Sequence, residues 1–362
     1  MKLIELSYKI KNSPPQNDWT IETVNFDNLN LIVGKNATGK TKLIDLFIHF
    51  SKMILNPDYL ILGEWILKFE NSDSQSITFT ANISADNSGQ NSIDSEELRM
   101  DKKIIYKRSK DFIEESTLLE ENKELKISSG KLVLSQLINS NIQFVDIDLN
   151  NFKDWASNIS VFRFGHLHGY EDNSKFNYKE TNLIGIEKIK KFLKDLDIEC
   201  LKKITADFNS LDYDIEYVKL SSTDLILKEK YLSFPLSVNE ISQGMVRTIS
   251  ILILTRYLIN LKKQFTLIID DLAEGIDYDR ATKLGKLLFD LLESSKIQLI
   301  STSNDNFLMN SVDIKYWTIL KRENHIIKCF NMKTHNKLFE EFSFTGLSNF
   351  NLFSSNFLNI ED

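Results

Sequence analysis

The chain has 362 residues, 42 % hydrophobic and 26 % charged, which is the usage of an ordinary folded protein with apolar side chains enough for a sizeable core. Its formal charge of −7 excludes the global basic signature of a nucleic-acid-binding protein and leaves only local basic patches for that role. Cys200 and Cys329 have no CxxC partner and read as reduced core thiols, MKLIELSYKIK at the start lacks a signal-peptide core, and the longest apolar runs, such as ISILIL (249–254), are far short of a membrane span, so a cytoplasmic protein is expected.

KLIELSYKI (2–10) and TIETVNF (20–26) alternate apolar and polar side chains and predict two strands, with SPP (13–15) as the turn between them. NLNLIVG (28–34) predicts a buried strand that runs straight into a glycine loop. KTKLIDLFIHFSKMIL (40–55) then shows helical spacing without Gly or Pro. From Trp65 to about Ser109 the period returns to two, so WILKFEN, SITFTANI and KIIYKRS predict an antiparallel meander. Polar SADNSGQNSIDSEE (84–97), between them, reads as a mobile loop. Helices are predicted near 131–139 and 150–157, a strand at SVFRF (160–164), an amphipathic helix with a basic face at 185–196 and a hairpin over 214–230. A second α/β block follows: a long buried helix (245–261), a strand ending in two carboxylates (265–271), an amphipathic helix (278–294), a buried strand (297–303) and a final hairpin (316–332). The tail from Phe339 to Phe357 is rich in phenylalanine. There is no internal repeat and no sustained heptad pattern, which argues against a long coiled-coil arm.

GKNATGKT (34–41) fits G-x-x-x-x-G-K-[ST] in full, and it sits between a predicted strand and a predicted helix, the context that gives a phosphate loop meaning. Gly34 and Gly39 let backbone N–H groups wrap phosphates without Cβ clashes. Lys35, Asn36, Ala37 and Thr38 complete the loop, Lys40 offers an ammonium to the β- and γ-phosphates, and Thr41 offers a hydroxyl to Mg²⁺. Lys42 follows on the helix, whose positive dipole end faces the anion. TLIIDD (266–271) ends in Asp270, which fits the metal-side acid, and Asp271, which fits the group that orients or deprotonates the attacking water. NEISQGMVRT (239–248) combines small residues with a helix start and reads as a second anion site or as an ordinary helix cap. In STSND (301–305), Ser303 or Asn304 is placed to hydrogen-bond a γ-phosphate, and a merely polar strand end competes with that reading. HLH (166–168) offers half a metal site on a strand, but a polar loop is the better reading in a chain with five histidines.

In this order, GKNATGKT, ISQGM, LIIDDLAEGID and LISTSND resemble the motif series of the ATP-binding cassette ATPases: phosphate loop, signature, Walker B with D-loop, and switch. The nearest likeness is to compact RecF-like and OLD-like prokaryotic ATPases, which are related to SMC proteins. The resemblance implies an α/β P-loop NTPase fold, ATP and Mg²⁺ as ligands, and two ATPs sandwiched between head-to-tail subunits. It implies that Ser242 and Gly244 contact the γ-phosphate held by the other subunit, that Asp277 is the D-loop acid at the dimer interface, and that Arg247 stands where such signatures often carry arginine. It assigns Thr41 and Asp270 to the metal, and Asp271 and Asn304 to catalysis. Two departures matter. Most relatives have glutamate where Asp271 stands, and a carboxylate one methylene shorter can cost about a hundredfold in rate. Most relatives also have a switch histidine where Asn304 stands, and asparagine takes up no proton near neutral pH. Slow turnover and a long-lived ATP-bound state are therefore expected.

The expected layout is a discontinuous nucleotide lobe (1–60 and 235–335), an antiparallel β layer (61–110), a mostly helical lobe leading to the signature (111–234) and a Phe-rich tail (336–362). The expected function is an ATP-gated dimeric switch in anti-phage defence or DNA maintenance, working with a separately encoded effector such as a nuclease. No nuclease constellation is evident in the chain itself. The alternatives are the nucleotide-binding subunit of a transporter, which the long separation of Thr41 from Ser242 and the missing LSGGQ disfavour, and an ATP sensor that does not hydrolyse. Lys188, Lys190, Lys191 and Lys194 form either a DNA-phosphate contact or a solvated helix face. Phe342, Phe344, Phe350, Phe353 and Phe357 form either an assembly patch or packing onto their own domain.

Overall fold

A computed structural model describes residues 1–10, 18–86, 89–116, 128–139, 149–163, 185–221 and 224–354. The chain forms two compact units. The first comprises Met1–Asp27, Gly34–Ile159 and Thr318–Asn336; the second comprises Asn28–Val33, Ser160–Trp317 and Lys337–Asp362.

The first unit is built on a mixed β-sheet. Its strands are β1 (Lys2–Ile10), β2 (Trp19–Asn25), β4 (Gly63–Glu70), β5 (Ser76–Ala85), β6 (Asn91–Met100), β7 (Lys103–Ser109), β8 (Phe112–Ser116), β15 (Trp317–Glu323) and β16 (Ile326–Asn331). They lie in the order β8-β7-β6-β5-β4-β1-β2-β16-β15, antiparallel throughout except for the parallel pairing of β2 with β16. Helix α1 (Lys40–Leu55) buries Leu43, Ile44, Phe47, Phe50 and Ile54 on the face its spacing predicts. Phe50 packs among Trp65, Phe69, Phe79 and Trp155, the last supplied by α3 (Asn150–Ser157). Aromatic rings at these separations add to the stabilisation their buried area provides.

The structure corrects the expectation of a mobile loop at 84–97. Most of that stretch belongs to β5 and to β6, a long strand paired on both sides. Two features hid it. Its register slips between Asn82 and Ile83 of the partner strand, so the inward positions Ile93, Glu96 and Leu98 do not keep a period of two. One of those inward positions is also a carboxylate. Glu96 is fully buried and accepts hydrogen bonds from the Tyr106 hydroxyl (2.6 Å) and from the amides of Val133 (2.8 Å) and Leu134 (3.1 Å). Those amides start the short helix α2 (Val133–Asn139), and Arg108 Nε stands 4.0 Å from the Glu96 carboxylate.

The second unit holds a parallel core of β3 (Leu29–Val33), β14 (Ile297–Ser303) and β13 (Phe265–Ile269), with β9 (Ile159–Phe162) beside β13. Every residue of β3 and β14 is buried, as expected of strands covered on both faces. Helix α6 (Gln243–Asn260) is apolar nearly all round and correspondingly buried. Helix α7 (Tyr278–Glu293) buries one stripe. Helices α4 (Ile186–Lys194) and α5 (Ile198–Ser210) pack on α6, and a small antiparallel sheet contains β10 (Ile215–Ser221), β11 (Asp224–Glu229) and β12 (Leu236–Ser237). Helix α5 has no counterpart among the predicted elements. Its buried stripe includes Asp207, which takes a bidentate ion pair from Arg256 (2.6 and 2.7 Å) and so breaks the apolar pattern. Short helices α8 (Asn306–Ser311), α9 (Asn336–Ser343) and α10 (Asn349–Ser354) complete the described elements. Phe342 is buried, Phe350 and Phe353 meet at 5.7 Å, Phe344 is exposed, and Phe357 lies outside the described residues. Both cysteines are buried free thiols. Among the described residues no helix is long and apolar enough to cross a membrane.

Glu96 gives a stability test. Glu96→Gln sets an amide NH₂ against donors that now meet an acceptor, and it leaves Arg108 without its counter-charge. A loss of about 1–3 kcal/mol is expected in urea unfolding, with the denaturant slope unchanged.

Candidate functional site

The residues expected to act on a ligand fall in both units. In the first, the loop from Gly34 to Thr41 opens α1. Gly39 is the residue before the helix and has φ 104°, a left-handed conformation that side chains resist. A Cβ there would lie 2.3 Å from Ile327 Cδ1. A Cβ on Gly34 would lie 2.4 Å from Thr38 Oγ1 and 3.2 Å from the Leu320 carbonyl. Gly34 is therefore held to glycine by space, next to a backbone carbonyl, and Gly39 by its conformation, since the Ile327 methyl can turn aside. The Thr38 hydroxyl donates to the Lys35 carbonyl (2.8 Å), so it tightens the loop from within, and Ala37 at φ 64° turns the chain. Lys40 is buried and its ammonium donates to the carbonyls of Gly34 (2.8 Å) and Lys35 (3.3 Å). Thr41 and Lys42 are exposed. No side chain caps α1 and its first turn carries no acid, so amide donors at the helix start face outward with the positive end of the dipole. This cradle fits a polyphosphate: glycines where a Cβ would collide, amide donors, and an ammonium already turned onto the loop.

In the second unit the acids follow the C-terminal end of β13. The parallel register pairs Ile269 with Ser301 and Ser303 with Val33, so these strands end at one edge of the sheet. Asp270 is buried. One of its oxygens accepts from the Thr302 hydroxyl (2.8 Å), the other pairs with Arg163 Nε (3.1 Å), and its amide donates to the Phe162 carbonyl (3.0 Å). Thr302 Oγ1 also accepts from the Asp271 amide (2.8 Å), so one hydroxyl fixes both acids to β14. Asp271 has φ 51°. Aspartate tolerates this left-handed conformation better than residues with longer side chains, a backbone reason for aspartate at a position where the resembled families carry glutamate. Arg247, fully buried on α6, donates to the carbonyls of Asp270 (3.0 Å) and Asp271. Burial pushes this guanidinium down to about 10, against the pull of Glu274, Asp271 and Asp270. A carboxylate at Asp270 and a hydroxyl at Thr41 are hard oxygen donors of the kind Mg²⁺ takes.

The remaining predicted residues are placed as follows. Ser242 is exposed and caps α6, accepting from the Met245 amide (3.2 Å). Gly244, in the first turn, sits so close to the Gly275 carbonyl that a Cβ would be 2.7 Å from it, so the segment after Asp271 presses on the start of α6. Asp277 caps α7, accepting from the Arg280 amide (3.2 Å), and pairs with the Arg280 guanidinium (2.9 Å). Asn304 is exposed just past β14, beside a turn in which the Asp305 amide donates to Ser303 Oγ (3.0 Å). His166 and His168 lie outside the described residues, and no cluster of three or more His, Cys, Asp or Glu able to hold a metal occurs among the described ones. On α4, Lys190 is tied to Glu187 (3.0 Å) and Asp224 (3.2 Å), while Lys188, Lys191 and Lys194 are exposed. Sequence reasoning missed Arg163. SVFRF carried only a strand signal, and the pairing with Asp270 spans more than a hundred positions of sequence.

No protein-family model and no curated protein matches the chain. Solved structures do. An SMC head domain from Thermotoga maritima superposes with TM-score 0.50 at 13 % identity, covering 91 % of this chain and 99 % of that one. An SMC head bound to the C-terminal winged-helix domain of ScpA gives TM-score 0.52 at 11 % identity, covering 93 % and 100 %. An SMC head with an extended coiled coil, bound to the C-terminal domain of ScpA derived from Pyrococcus furiosus, gives 0.53 at 10 % identity, covering 94 % and 99 %. The chain thus has the fold of an SMC head domain, a P-loop α/β fold of the kind the motif resemblance implied.

The Asp277–Arg280 pair gives a pH test. Burial pushes Asp277 up, but the Arg280 amide and guanidinium outweigh it and hold the carboxyl below its ordinary value. With a folded value below the unfolded one, the contribution to stability is present above the unfolded value and fades as pH falls through the folded one. Wild type is expected to exceed Asp277→Asn in stability by no more than about 1 kcal/mol near neutrality, and the gap is expected to close below about pH 4. Thermal unfolding of both proteins across that range checks it.

Proposed function

We propose that this chain binds ATP with Mg²⁺ at the loop Gly34–Thr41 and hydrolyses it slowly, acting as one half of an ATP-gated dimeric switch. The observation that carries the reading is the uncapped, acid-free start of α1 behind a loop in which Gly34 and Gly39 admit no side chain. On binding, Lys40 exchanges the carbonyls of Gly34 and Lys35 for the β- and γ-phosphates. Thr41 and Asp270 are the residues that would hold the metal. Bound Mg²⁺ supplies neutralisation of charge on the phosphates. Asp271 orients the attacking water, and Asn304 hydrogen-bonds the γ-phosphate without exchanging a proton.

In the dimer, Ser242 and Gly244 meet the γ-phosphate held by the second copy, with Asp277 at the same interface. Closure then depends on the triphosphate and hydrolysis releases it. Two solved heads of this fold are bound to a ScpA domain, which supports a protein partner for this one. We infer a separately encoded effector, such as a nuclease, and a cytoplasmic role in anti-phage defence or DNA maintenance. The second reading, a sensor that binds ATP without hydrolysing it, draws on Asp271 and Asn304, which replace the glutamate and histidine of the resembled families.

Isothermal titration with Mg-ATP separates these readings in part. Wild type is expected to bind, and Lys40→Ala to lose about ten- to a hundredfold in affinity, the value of a charge-assisted contact. Asp270→Asn is expected to bind ATP with its magnesium dependence lost. Asp271→Asn should keep affinity and lose about a hundredfold or more in turnover. An unchanged rate in Asp271→Asn would leave the sensor reading standing and remove the hydrolytic one.

A further inference from the structure

Two cations outside the loop itself flank it within the first unit. Arg322, on β15, directs Nη1 to the carbonyl of Ala37 (3.3 Å), the residue that turns the loop, while its Nε donates to the Asn324 carbonyl (2.9 Å). The guanidinium is thus aimed at the loop although its side chain is exposed. Lys42, in the first turn of α1, rests its ammonium 4.3 Å from the centre of the Trp19 ring. Burial and the nearby Arg322 charge both push Lys42 down. Among the described residues neither cation forms an ion pair with a carboxylate. Two like charges left near one another beside an anion cradle repel, and an anion between them would reverse that cost. Lys40 is turned inward on the loop carbonyls and serves the far phosphates, so Lys42 and Arg322 are left for the end of the polyphosphate that emerges from the cradle.

We propose that Arg322, with Lys42, is a nucleotide-binding residue that clamps the α-phosphate end of a nucleoside di- or triphosphate from outside the loop. The inference rests on the nucleotide reading above and adds a contact from the C-terminal β15–β16 hairpin. Because the α-phosphate is common to both ligands, Mg-ADP and Mg-ATP must depend on Arg322 alike, whereas a residue serving the γ-phosphate would affect Mg-ATP alone.

Full-length wild type, Arg322→Ala, Arg322→Lys and Arg322→Gln are titrated with Mg-ADP and with Mg-ATP at two salt concentrations. Arg322→Ala is expected to weaken both ligands about tenfold or more, with a shallower salt dependence, and its thermal unfolding is expected to match wild type. Arg322→Lys is expected to recover part of the affinity and Arg322→Gln none. If Arg322→Gln binds as wild type does, the side chain only shapes the loop through the Ala37 carbonyl and the proposal is overturned. If wild type binds and Arg322→Ala binds equally well, or loses Mg-ATP alone, the proposal fails while the nucleotide reading stands. If wild type binds neither nucleotide, both fall together.

Discussion

The proposed nucleotide site depends on one physical feature, a helix start left open. Most helices satisfy their first amides with a side-chain cap and favour an acid in the first turn. Helices α5, α6, α7 and α8 all do the former, through Asp197, Ser242, Asp277 and Asp305. Helix α1 does neither, and the residue before it is a left-handed glycine wedged against Ile327. An open helix start preceded by a strained, close-packed loop is unfavourable to fold by itself, and an anion seated there removes the deficit. Lys40 shows the same state: a buried ammonium bonded to carbonyls of its own loop, a geometry that a phosphate can replace without moving the backbone.

The second unit solves a different problem, which is to hold two carboxylates at a strand end in defined places. A single hydroxyl, Thr302, does much of this by donating to Asp270 and accepting from Asp271. Arg247 holds the carbonyls of the same two residues from inside α6, and Arg163 balances the Asp270 charge. The start of α6, with Ser242 and Gly244, is also the element whose Gly244 packs on the Gly275 carbonyl. One helix therefore carries both the proposed trans-acting residues and the arginine that fixes the acids. A shift of α6 would be felt at Asp270 and Asp271 through the hydrogen bonds that Arg247 donates to their carbonyls.

Much of this was legible in the sequence, because the informative features are local. The loop needs glycines at fixed spacing, β3 and β14 are continuous apolar runs, and α1 and α7 carry one-sided stripes. What stayed hidden was long-range and polar. β6 was masked because Glu96 occupies an inward position and a bulge interrupts its alternation. α5 was masked because Asp207 sits in its buried stripe, answered by Arg256 from another helix. Arg163 and Arg322 carry no local signal, since each acquires its place only when remote segments fold beside it. Two of the misses share a cause, the buried carboxylates Glu96 and Asp207: pattern reading counts them as surface, and only the partner brought by the fold makes them core.

The most direct test of the account is amide hydrogen exchange across residues 34–43, with and without saturating Mg-ATP. Nucleotide is expected to slow exchange of the loop and first-turn amides sharply, because these amides donate hydrogen bonds to the phosphates, and Lys40→Ala is expected to abolish the effect. Exchange in that segment unaffected by nucleotide in the wild-type protein would contradict it.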